Sequence, residues 1–257
     1  MANWNDNRSA RQGFGVSPNQ AGDLAGRTTF DAGLRTHMLS IYNYMASGVL
    51  LTGIVAMAAY NLGFAVTIAS GPLMWIVALS PLAIVFAMSF GQNKFSTPTL
   101  QAMFWGFAIL MGLSMSTIFL RYTGGSIAAT FFATAAAFAG LSLFGYTTKK
   151  SLSGMGSFLI MGVVGLIVAM VINMFLQSPG MMYAISFIGV LIFAGLTAYD
   201  TQRLKNEYLM IQQAKVTNPA VAAAYPMGKV VVMGALTLYL DFINMFQFLL
   251  SFMGNRE

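Results

Sequence analysis

The chain has 257 residues, of which 57% are apolar and only 8% charged, with no cysteine and a formal net charge of +6. A soluble domain carries about 25% charged residues, so this chain cannot clothe a water-facing surface and its main solvent must be lipid. Disulfides and thiolate metal sites are excluded, and the positive charge is dispersed over short loops instead of forming a nucleic-acid-binding patch.

Residues 1–37 read as a polar, flexible cytosolic tail, without the apolar stretch of a cleavable signal peptide. Residues 38–257 read as one transmembrane domain. A helix needs about 20 apolar residues to cross a bilayer. Seven runs qualify in chain order: 38–63, 72–90, 99–120, 126–146, 157–177, 181–202 and 229–252. Ser70-Gly71-Pro72, Ser96-Thr97-Pro98, Gly124-Gly125 and Ser178-Pro179-Gly180 punctuate them. Continuous apolar runs of this length are helices; strands of a membrane barrel would be about ten residues long with alternating polarity. The fourth run is rich in Ala and Gly, which predicts a helix buried between neighbours. The methionines are spread over all the spans and read as apolar filling rather than as a copper site.

Lys and Arg set the orientation. With the N-terminus in the cytosol, eleven basic residues (Arg8, Arg11, Arg27, Arg35, Lys94, Lys149, Lys150, Arg203, Lys205, Lys215 and Lys229) fall on the cytosolic side, against Arg121 and Arg256 opposite. The asymmetry supports an odd number of spans and an extracytosolic C-terminus.

Of seven acidic residues, five (Asp6, Asp23, Asp31, Glu207, Glu257) lie in the tail, a loop or the last position. Asp200 and Asp241 lie in or at the edge of apolar runs. A carboxylate inside a membrane costs roughly 2.5–3.5 kcal/mol, so such a residue faces a bundle interior or a wet cavity and is by default functional. Asp200, in GLTAYDTQRLKNEY, ends the sixth run; it can be an interface acid paired with Arg203 at i+3 or an acid pointing into the bundle. Asp241, in LTLYLDFINMFQFLL, is far from either end of its run. Thr237 and Asn244 share its helix face, which makes an oxygen-bearing stripe.

The pairing of GLTAYDTQ with LYLDFIN over seven apolar spans, with GYTTKKSLS between the fourth and fifth, resembles the bacterial branch of the Bax inhibitor-1 (transmembrane BAX inhibitor motif) family. The resemblance runs from about residue 38 to the end. It implies an all-α integral membrane protein of seven transmembrane helices, the last one central and enclosed by the other six. It implies a pH-sensitive calcium leak channel of the bacterial inner membrane. It also implies a hydrogen-bonded acid pair as proton sensor, at Asp200 and Asp241. In the family a basic residue at the cytosolic end of the second helix latches the sixth-helix acid; Lys94 occupies that place instead of an arginine, and Arg203 competes for the role. Some bacterial relatives are linked to a membrane-bound ATP-dependent protease, which makes the tail the segment to test for such a partner.

Two carboxyl groups in contact cannot both ionise cheaply, so the pair should share a proton near neutral pH. A divalent cation would compete with it. Calcium takes six to eight oxygens, so Thr237, Asn244, main-chain carbonyls and water would have to complete a shell begun by Asp200 and Asp241. The site should be weak enough to release its ion, and Ca²⁺ is expected as transported ion and not as a tightly bound cofactor.

No enzyme is expected. GxSxG and HExxH are absent; an intramembrane di-aspartyl protease would pair YD with GxGD, but Asp241 follows Leu-Tyr-Leu. A proton-coupled cation transporter would use the same two acids.

Overall fold

The computed structural model describes residues 18–217 and 226–255, with the backbone alone over 18–31. Helix α1 is Pro18–Asn61, α2 Phe64–Ala69, α3 Leu73–Gly91, α4 Thr97–Met115, α5 Gly124–Thr147, α6 Ser153–Leu176, α7 Pro179–Thr217 and α8 Met227–Met253. A 3-10 segment, Ser116–Leu120, extends α4. Seven of these helices are long and apolar enough to span a membrane, and no strand occurs among the described residues. The protein is an all-α integral membrane protein.

Two boundaries differ from the sequence expectation. Helix α1 reaches back to Pro18, into the expected tail; residues 1–17 lie outside the described residues. Helix α7 does not stop near position 202 but runs on to Thr217. The continuation TQRLKNEYLMIQQAK is polar, which ends the hydropathy signal. It is also built of strong helix formers without Gly or Pro, so nothing ends the helix.

The expected stops act through identifiable bonds. Ser96 Oγ accepts the amide of Thr99 at the start of α4, and Thr123 Oγ1 accepts that of Ser126 at the start of α5. Inside α3, Pro81 cannot donate to Val77 O. The hydroxyl of Ser80 donates to that carbonyl instead, at 3.0 Å, the kind of substitution that makes proline tolerable in a membrane helix.

Helix α8 is the axis of the bundle. In its most apolar stretch 61% of positions are buried, against 11% in α3 and in α6. It packs on α7, α1, α5 and α4. The expected enclosure by six helices is therefore refined: four touch α8 closely, while α3 and α6 stand across a cavity from it. At the α1–α4–α8 junction Tyr239 is fully buried; its hydroxyl lies 2.6 Å from Thr52 Oγ1, which itself donates to Ala108 O at 2.8 Å. Phe107 meets the Tyr239 ring edge-on at 5.0 Å.

Helix α5 corrects another expectation. It is peripheral, with only the stripe Thr130, Thr134, Phe138, Ser142 and Gly145 buried, while Phe132, Leu143 and Phe144 face outward. Its small residues serve one close approach: a Cβ on Gly145 would collide with the carbonyl of Ala198 on α7.

Candidate functional site: a buried carboxyl pair

Helices α7 and α8 run antiparallel, joined at the bundle end that carries most of the lysines. From Asp200 to the end of α7, and from the start of α8 to Asp241, the chain covers comparable lengths, roughly 20–25 Å each at about 1.5 Å per residue. The overrun of α7 is thus what brings the two acids level. Asp200 is 5% exposed and Asp241 3%, and their carboxyl groups lie within hydrogen-bonding reach of each other. One shared proton satisfies this contact, because the carboxyl that carries it donates to the other.

Arg203, one turn beyond Asp200, places Nη2 2.9 Å from Asp200 Oδ1. The approach is an ion pair without aligned hydrogen-bond geometry, so Asp200 Oδ1 keeps no hydrogen bond, and neither does Asp241 Oδ2. Arg203 is 46% exposed, so it links the buried pair to the water-facing end of the bundle; its guanidinium also lies over the Tyr199 ring at 5.9 Å. Of the two expected latch residues, Arg203 stands at the acid. Lys94 is exposed on the turn after α3. Helix α3 packs mainly on α4 and α2, and among the described residues the ion pair at Asp200 is with Arg203. The basic side chain that reaches that turn is Lys229, whose Nζ donates to Gln92 O at 3.3 Å.

Thr237 and Asn244 share a cavity of about 610 Å³ with Asp241. Each uses its donor within its own helix, Thr237 to Met233 O and Asn244 Nδ2 to Leu240 O at 2.8 Å; their oxygens remain as acceptors. Gln247 and Ser114 line the same space. Gln247 was missed, although i+3 spacing from Asn244 carries the 237–241–244 stripe on to it; Ser114, on α4, carried no such signal. Pro81 and Val85 of α3 and Leu166 and Met170 of α6 form the apolar wall opposite. A second cavity of about 250 Å³ shares Ala78 and Ser114 with the first and extends to Arg121 at the other end of the bundle. Among the described residues no group of three or more His, Cys, Asp or Glu side chains converges, so a cation in this cavity would meet the Asp241 carboxylate and neutral oxygens, with Asp200 behind Asp241 and outside the lining.

Three neighbours of Asp200 tie it to surrounding elements. Gln202 accepts the amide of Leu152 at 2.7 Å and donates to Lys150 O at 2.8 Å. Lys205 Nζ donates to Tyr146 O at 2.7 Å. Thr201 Oγ1 lies 2.9 Å from Ser142 Oγ, which lies 2.8 Å from the hydroxyl of Tyr42. The residues around Asp200 are thereby fixed to α5, to the α5–α6 loop and to α1. Apart from Lys205, which counts among the cytosolic basic residues, none stood out in sequence, because single Gln, Ser and Thr residues gain meaning only from their partners.

Fold and site together define a seven-helix membrane protein with a buried dicarboxylate where its last two helices cross. The chain belongs to the Bax inhibitor-1 family: the family described as "Inhibitor of apoptosis-promoting Bax1" matches residues 34–257. It is 47% identical over 238 residues to an uncharacterized protein of Caulobacter vibrioides, spanning 88% of this chain and 92% of that one. It is 42% identical to the Rickettsia prowazekii protein RP147, over 89% of this chain and 93% of that one. Against the inner membrane protein YbhL of Escherichia coli K12 it is 41% identical, over 88% of this chain and 94% of that one.

Proposed function

We propose that the protein is a pH-sensitive calcium leak channel of a bacterial inner membrane, gated by protonation of the Asp200–Asp241 pair. The observation that carries this reading is the contact of the two carboxyl groups in the bundle interior, with Asp241 opening on a mostly apolar cavity that has Thr237, Asn244, Gln247 and Ser114 as its other polar side chains. The similarity to an E. coli inner membrane protein supports the location. With one proton on the pair and Arg203 offsetting the remaining charge, the pair has little attraction for a cation. Loss of the proton leaves two carboxylates beside the cavity, a charge that draws Ca²⁺, while the neutral oxygens of Thr237 and Asn244 hold it loosely. Acidification therefore closes the path and alkalinisation opens it. The N-terminus is assigned to the cytosol by its basic loops.

The test is calcium influx into proteoliposomes over a pH series. Flux should rise with pH, by at most about tenfold per pH unit for a one-proton gate; a flat or inverted profile refutes the assignment. Uphill calcium movement driven by an imposed proton gradient would instead identify a coupled transporter.

Removing the charge partner should act on the closed state. In Arg203→Gln the Asp200 carboxylate loses its ion pair, and the basal leak at acid pH should rise about fivefold, as expected for roughly 1 kcal/mol from a half-exposed pair. Asp200→Asn breaks the same ion pair and should raise the leak similarly at acid pH, but without the further rise at alkaline pH, because the pair can no longer carry two charges. If Asp200→Asn silences flux at every pH, Asp200 is a ligand of the permeating ion and not part of the gate.

A further inference from the structure

At the end of the bundle opposite the lysine-rich loops lies a cavity of about 580 Å³ that the carboxyl pair does not use. It is bounded by the end of α4's 3-10 extension, the end of α6 and the start of α7. Its polar side chains are Arg121, Tyr122, Asn173, Gln177, Ser178 and Tyr183. Among the described residues none of its lining side chains is acidic, and Arg121 is the one cation. The sequence here makes an unusual turn: Gln177 closes α6 with φ 49°, a left-handed conformation seldom taken by a residue other than glycine. Asn173 Oδ1 accepts the amide of Ser178, and Ser178 Oγ accepts that of Met181. The turn thereby sets the positive end of the α7 dipole at the cavity, while among the described residues Asn173 Nδ2 meets the sulfur of Met182, at 3.9 Å. A guanidinium, amide and hydroxyl donors and a helix N-terminus converge on one space, which is the donor set of an oxyanion site.

The surroundings select the kind of anion. The cavity lies level with the ends of three spans, at Leu120, Leu176 and Pro179, the depth at which lipid phosphates sit. Beside it Phe175, Leu176 and Phe187 are exposed, a surface suited to acyl chains. We propose that this cavity binds a phosphoryl anion, carried by the headgroup of an anionic phospholipid, with Arg121 as its principal ligand.

The experiment uses the purified full chain in detergent. Native mass spectrometry with phosphatidylglycerol and with phosphatidylethanolamine should give a retained adduct with the first and at least fivefold less with the second. Arg121→Gln should lower phosphatidylglycerol retention at least fivefold, Arg121→Lys should restore part of it, and Lys150→Gln at the other end should leave it unchanged. Thermal unfolding with and without inorganic phosphate separates the sources. An Arg121-dependent rise in Tm with phosphatidylglycerol but not with phosphate supports the lipid. The same rise with phosphate alone overturns the lipid assignment in favour of a free anion. Equal phosphatidylglycerol retention by the parent and a folded Arg121→Gln overturns the site itself.

Discussion

Asp241→Asn is expected to abolish the pH dependence of calcium flux while leaving the fold intact. Asparagine has nearly the shape of the carboxyl and can donate through its amide to Asp200, so the contact between α7 and α8 survives. What it cannot do is release a proton. The pair would then carry at most the charge of Asp200, offset by Arg203 at 2.9 Å, and the cavity would lose the one carboxylate that lines it. Flux should stay at or below the parent's acid-pH level across the series, while the melting temperature stays within a few degrees of the parent's. Asp241→Leu is a useful contrast. It removes the partner of a buried acid, and leaving a buried charge or polar group unpaired costs roughly 1–3 kcal/mol or more, so its loss of flux would come with a loss of stability. A folded Asp241→Asn protein with a parent-like pH profile would place the sensor elsewhere.

Residue spacing alone leaves open whether the two acids meet, and the reason is geometric. Reading α7 as ending near 202 puts Asp200 at a membrane edge and Asp241 near mid-bilayer. Hydropathy locates where lipid ends, not where a helix ends, and TQRLKNEYLMIQQ leaves the lipid without leaving the helix. Once α7 runs to Thr217, the antiparallel crossing aligns the pair. The Thr237–Asp241–Asn244 stripe was legible because helical spacing alone puts those residues on one face. The latch was legible only as a choice: i+3 spacing favours Arg203 on Asp200's own helix, while Lys94 depends on where α3 packs, which no local pattern encodes. The seven spans and the central last helix rest on different grounds, the former on apolar run length, the latter on family resemblance; α8 itself shows it by being buried on most sides.

The Ala- and Gly-rich α5 shows how composition can be read for the wrong face, and it leads to the second large effect. Gly140 and Gly145 lie on the same helix, yet a Cβ at 140 would meet nothing within 4 Å, whereas one at 145 would strike the backbone of Ala198. A carbonyl cannot rotate away as a side-chain tip can, so α5 and α7 must separate. Gly140→Ala should therefore change stability by no more than about 0.5 kcal/mol. Gly145→Val should cost about 3 kcal/mol, the upper part of the range for overpacking, with Gly145→Ala between them; thermal unfolding of the three variants in one detergent measures the series. The displacement falls two residues before Asp200 and one turn from the Ser142–Thr201 bond of 2.9 Å. Any Gly145→Ala protein that still folds should thus hold its carboxyl pair less firmly and leak more calcium at acid pH. Equal stability of the 140 and 145 variants would mean that α5 is free to move off α7, and that the rigid support assigned to Asp200 from this side does not exist.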